Sequence, residues 1–136
     1  MGGEDEMIVD ITNELFTRLK TELTNVTVLP SYQPTTPNFP TVIFEESDNS
    51  AHMSSKDSSG FTHSNISYSV EIYTIGTKKM TDAKKIRNDI DAILSDDYGL
   101  ARGTPAVLPN YLDESIYRYK IIYTGVISEN KTIYGR

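Results

Sequence analysis

Residues 7–24, MIVDITNELFTRLKTELT, place Ile8, Ile11, Leu15, Leu19 and Leu23 three or four positions apart, with Phe16 widening the stripe. Glu14, Arg18, Lys20 and Glu22 take the opposite side. That spacing predicts an amphipathic helix over 8–24. A second stripe of Ala83, Ile86, Ile90, Ile93 and Leu94 predicts another helix over 80–95. Thr81 suits its N-cap, Asp82 the positive end of its dipole, and Gly99 a left-handed turn beyond it.

Between and after these helices the period changes to two. In 66–75, ISYSVEIYTI, residues Ile66, Tyr68, Val70 and Ile72 point one way, and Ser67, Ser69, Glu71 and Tyr73 the other. Thr41 to Glu46 reads as a strand that turns polar at its end, and Asn25 to Leu29 as a short one stopped by Pro30. The last long strand spans about 115–127. Tyr117, Tyr119, Ile121 and Tyr123 share one face, and Ile116, Arg118, Lys120, Ile122 and Val126 the other. Gly125 reads as a bulge or a close contact. Glu129 and Asn130 suit a turn into a short end strand at Thr132 to Tyr134.

Two connections stand out. PSYQPTTPNFP, residues 30–40, carries four prolines and reads as a surface connection. SDNSAHMSSKDSSGFTHSN, residues 47–65, has seven serines among nineteen residues and reads as a mobile hairpin tip or a loop that orders on a partner. A further stretch leads from Gly99 through Pro105 and Pro109 to Tyr111, Leu112, Asp113 and Glu114.

Strands joined mostly by loops favour an antiparallel or mixed sheet, and two single-striped helices cover one face of it. The expectation is an α+β fold: a two-layer sandwich of a largely antiparallel or mixed sheet with two main helices on one face. At 136 residues this is a single domain, over 7–136. The preceding MGGEDE reads as a tag or disordered leader. The final strand is apolar on both faces, more than one helical layer buries. That predicts a subunit contact on the uncovered face, beside the alternative that its tyrosines complete the monomer's own core.

The net charge of −6 falls to −3 without Glu4, Asp5 and Glu6. Mild acidity argues against affinity gained by neutralising phosphates. No apolar run approaches the ~20 residues of a membrane span, and no signal peptide is visible. The absence of cysteine excludes disulfides, thiolate chemistry and cysteine-ligated zinc.

Catalytic chemistry is weakly represented. His52 and His63 both fall in the serine-rich segment, where solvated histidines are the ordinary expectation and a two-histidine metal site the lesser one. No phosphate-binding glycine pattern occurs. The pairs Glu45–Glu46 and Asp96–Asp97 are sequence neighbours that diverge, so they read as surface acids rather than an acid–base pair. No catalytic residue, cofactor or metal is therefore assigned. Lys78, Lys79, Lys84, Lys85 and Arg87 cluster around the start of the second helix, as a solvated face or a contact for an acidic partner.

The runs FPTVIFEESDNS, SYSVEIYTIGTKKMTDAKKIRNDIDAIL and YGLARGTPAVLPNYLDESIYRYKIIYTGVISENKTIYGR, in this order, resemble the small tail-terminator (tail-completion) proteins of long-tailed bacteriophages, often labelled minor capsid proteins. The resembling features are the Phe39–Pro40 entry to a strand, the segment Glu46 to Asn49, YSVEIYT, the Lys-rich helix and GLARGTP. They continue with Asp113, the run Ile116 to Arg118, and the Ile133–Tyr134 ending. They cover nearly the whole chain from Met7. Two departures are Leu100, where the pattern has Phe, and Gly135, where it has a basic residue.

The resemblance implies a ring, commonly of six copies, that caps the tail tube, stops its polymerisation and presents a head-joining surface. Its partners would be copies of itself, the tail tube protein and the head-side connector protein. DNA would pass through the lumen without specific binding, and no membrane would be involved. It would assemble in the bacterial host cytoplasm and reside in the virion at the head–tail junction. Tyr73, Lys78, Lys79, Lys84, Arg118, Tyr119, Tyr123 and Tyr134 are the candidate contact residues. A head-completion adaptor is the alternative, followed by a small nucleic-acid-binding domain or enzyme.

Overall fold

The computed structural model describes residues 10–31, 38–51, 63–109, 113, 115–128 and 131–134. Helix α1 spans Thr12–Glu22, within the predicted 8–24; residues 8 and 9 lie outside the described residues. Leu15 and Leu19 are fully buried, flanked by Ile11 and Leu23. Burying one such side chain stabilises the fold by roughly 1.5–3 kcal/mol.

Strand β1 spans Thr27–Leu29 and pairs parallel with the start of β2, Thr41–Ala51. Pro30 follows β1 directly, and Pro40, after a cis peptide bond, leads into β2. The long hairpin partner β3 spans His63–Thr74 and pairs antiparallel with β2 along its length. The segment expected to be a loop over 47–65 is therefore strand at both ends. The polar run after Glu46 stays extended because it keeps its ladder with Ser64 to Ser67 opposite it. The remainder of that connection, His52 included, lies outside the described residues.

Helix α2 spans Lys79–Asp91 and continues as a π-helical turn over Ala92–Asp97. Its N-cap residue is Lys78, without a side-chain cap, so Thr81 lies inside the first turn rather than before it. The Asp82 amide donates to the Lys78 carbonyl at 2.8 Å. The π turn is defined by the Tyr98 amide reaching the Ile93 carbonyl at 3.1 Å, and it brings both Ile93 and Leu94 into the core. Gly99, at φ +81°, ends it as expected.

Strand β4 (Ala101–Arg102), strand β5 (Ala106–Leu108) and strand β7 (Ile133–Tyr134) all pair antiparallel with β6, Tyr117–Ser128. Together they fill one column along the outer edge of β6. The first two were not expected. The sheet runs β1-β2-β3-β6-β4, mixed only through the parallel β1 pair. The α+β architecture is as the sequence predicts. Gly125 sits in an unbroken ladder opposite Ile66; the register shift lies instead in β2, between Glu46 and Asp48.

The helices cover one face of the sheet. Val42, Phe44, Ile66, Tyr68, Val70, Ile72, Tyr119, Ile121, Tyr123 and Ile127 pack beneath them. The Phe44 and Tyr68 rings stack with centroids 5.0 Å apart. No helix among the described residues is long and apolar enough to cross a membrane.

Candidate interaction surface

Alternation in β3 and β6 puts Glu71, Tyr73, Arg118, Lys120 and Ile122 on the sheet face turned away from the helices. Tyr73 pairs with Arg118, Glu71 with Lys120, and Ser69 with Ile122 across the two strands. Glu71 organises this face. Arg118 Nε donates to Glu71 Oε1 at 2.8 Å, the Tyr73 hydroxyl donates to the same oxygen at 2.6 Å, and Lys120 Nζ lies 3.9 Å from Oε2. The Arg118 guanidinium also lies over the Tyr73 ring at 5.9 Å.

Burial alone would push the Glu71 carboxyl up. The Arg118 and Tyr73 hydrogen bonds and the Arg118 and Lys120 charges outweigh it and hold the group below its ordinary value. The Arg118 guanidinium is raised in turn, chiefly by the Glu71 hydrogen bond. The result is a carboxylate whose charge is met by two cations. Next to it on β6, Ile122 is 38% exposed, a large aliphatic side chain without helical cover.

The candidate contact residues separate into three sets. Tyr119 and Tyr123 are not on the open face. They are 5% and 0% exposed, under α2, where the Arg87 guanidinium donates to the Tyr119 hydroxyl at 2.9 Å and Tyr123 donates to Asp91 at 2.9 Å. Tyr73 is on the open face but only 4% exposed, its hydroxyl committed to Glu71. These three tyrosines therefore serve the monomer's own packing, and the contact reading for them is corrected. Arg118 and the lysines stay accessible: Lys78 and Lys84 are exposed, and Lys79 Nζ donates to the Ser115 carbonyl at 3.1 Å, where the chain enters β6. The Tyr134 side chain lies outside the described residues. Ile122 was placed on the correct face by alternation but not singled out, because its exposure depends on which face the helices take.

A second feature lies at the opposite edge. β1 pairs only with Thr41 to Ile43, so among the described residues no strand lines β2 beyond Ile43. A groove of about 700 Å³ runs there, lined by Phe16, Pro30, Glu45, Glu46 and Ser47, with Glu71 and Lys120 at its far wall.

Among the described residues no group of three or more His, Asp or Glu side chains is arranged to hold a metal ion. His63 lies in β3 opposite Ser128. No family model matches this chain, and no curated protein does either.

Proposed function

We propose that this protein is a structural component of a phage tail: a tail terminator that closes into a ring on the finished tube, stops its growth and offers the head-side connector a surface. The observation that carries the reading is the edge of the sheet face turned away from the helices. Ile122 is exposed beside a carboxylate already neutralised by Arg118 and Lys120. Such a face loses an aliphatic group to a neighbour without stripping water from an unpaired charge. The ordered resemblance along the chain supports the same reading and supplies its context, the virion's head–tail junction.

Deletion of the gene in an infecting phage tests it. Overlong tails, or tails unjoined to heads, are expected. Tails of normal length joined normally to heads would overturn it. Electron microscopy of the purified protein with tail tubes should show rings at tube ends.

A further inference from the structure

Three contacts set α2 along β6. Lys79 Nζ donates to the Ser115 carbonyl at 3.1 Å, Arg87 to the Tyr119 hydroxyl at 2.9 Å, and Tyr123 to Asp91 at 2.9 Å. Ala83, Ile86 and Ile90 are buried against the sheet. The helical period then puts Met80, Lys84, Arg87 and Asp91 on one adjoining flank, three or four residues apart. That flank is turned toward the outer column of the sheet, because Asp91 meets Arg102 on β4 and Arg87 meets Tyr119. Val107 on β5 stands directly opposite Tyr119 in the ladder and so lies on the same sheet face.

Met80 is 54% exposed and Val107 57%, the two most exposed large apolar side chains among the described residues. Lys84 is exposed as well. Among the described residues neither Lys84 nor Arg87 lies in a salt bridge, whereas Arg18, Arg102, Arg118 and Lys120 all do. The other hydrogen bonds of Arg87 go to Asn88, a neutral group. The period explains the imbalance. Asp82 and Asp89 fall on the opposite flank of α2, three and four residues from Lys85. Asp91, on the cationic flank, is held by Tyr123 and Arg102.

We propose that the strip between the Met80–Arg87 flank of α2 and Val107 of β5 is a docking site for an acidic segment of a partner protein that carries apolar residues among its carboxylates. The carboxylates meet Lys84 and Arg87; the apolar side chains cover Met80 and Val107. A nucleic-acid backbone satisfies only the first requirement, and the chain's net charge of −6 opposes its approach. Met80 and Arg87 are two turns apart, about 10.5 Å, which a short segment spans. This strip lies on the helical side of the sheet, away from Ile122, and is independent of the ring.

A labelled peptide alternating glutamate with leucine, about eight residues long, is the probe, read by fluorescence anisotropy against the full chain. Lys84→Glu should weaken its binding about tenfold by reversing a charge it meets. Met80→Ser should weaken it by a similar factor, as should replacing the peptide's leucines with serine at the same charge. Lys20→Glu, the same charge change on α1, should bind as the parent does. Both α2 side chains are exposed, and circular dichroism checks that the variants fold. No binding, undiminished binding by the two α2 variants, or equal binding of the serine peptide would overturn the proposal. So would displacement of the peptide by a DNA duplex, which would make the strip a phosphate-binding surface. Self-association abolished by Lys84→Glu in sedimentation would also overturn it, because the occupant would then be a second copy. The assay contains no tail tubes, so its failure leaves the tail-terminator reading to gene deletion.

Discussion

Tyr123, in the middle of β6, donates its hydroxyl to Asp91 Oδ1 on α2 at 2.9 Å, and Asp91 Oδ2 in turn lies 3.4 Å from Arg102 on β4. One phenol thereby links β6 to the helix above it, and Asp91 extends the link to the strand beside it. Burial, with the Asp91 hydrogen bond and charge, pushes the phenol well above the ordinary tyrosine range, so the group stays a donor at any physiological pH.

Tyr123→Phe should lower stability by about 1–2 kcal/mol, the worth of a hydrogen bond to a carboxylate that keeps one other partner. Tyr123→Glu places a second negative charge in the core beside Asp91 and should prevent folding. Urea titration followed by circular dichroism separates the two outcomes. A well-folded Tyr123→Glu protein that fails only in assembly would refute the buried placement.

The open face gives the opposite expectation. Ile122→Asp should change stability by less than about 1 kcal/mol, because the side chain is partly in solvent. The same change should abolish ring formation on tubes, read by electron microscopy of tube ends. Rings formed normally by the folded variant would remove this face from the interface.

Glu71 sets an acid limit. Its carboxyl is lower in the folded chain than its ordinary value, so the unfolded state binds the proton more readily. The stability it contributes is fully present above the ordinary carboxylate pKa and is lost as pH falls through the folded value. Glu71→Gln should cost about 1–3 kcal/mol at neutral pH and flatten the acid limb of a stability–pH curve. An unchanged acid limb would show that Arg118 and Lys120 do not hold the group in solution.

Tyr68 sets an alkaline limit. Burial pushes its phenol up to about 12, so its neutral form is favoured by folding. That contribution is complete below the ordinary tyrosine pKa of about 10 and disappears as pH rises from there through the folded value. Absorbance at alkaline pH should show exposed phenols ionising first, with Tyr68 following on unfolding.

Gly103→Ala should be costly for a geometric reason. A Cβ there would stand 2.8 Å from the Ile122 carbonyl oxygen, which already accepts the Gly103 amide at 2.7 Å. Either the strand column shifts or the ladder bond lengthens, at about 1–3 kcal/mol, measurable as a lowered denaturation midpoint.

Much of this was legible in the residues. The stripes of α1 and α2 and the alternation of 66–72 follow directly from which side chains must leave water. β4 and β5 were not legible: two or three residues show no period, and Ala101 to Leu108 are extended because β6 offers them an edge. The placement of Tyr119 and Tyr123 failed for another reason. Alternation assigns them a shared face but not which face the helices take, when both are partly apolar. Arg87 and Asp91 carried a usable signal: polar groups four apart on the second helix, suited to buried phenols.

The column along β6 bears on timing. β6 is the floor for α2 and the pairing partner of β3, β4, β5 and β7, yet of these only β7 follows it in the chain. During synthesis the hairpin and the second helix can meet each other, but the two short strands emerge with no edge to pair with. Closing the loop of more than forty residues from β3 to β6 is the slow, entropically opposed event. Folding should therefore wait for the last long strand and then finish at once, so chains stalled before residue 117 remain exposed to proteases and to one another while completed chains do not.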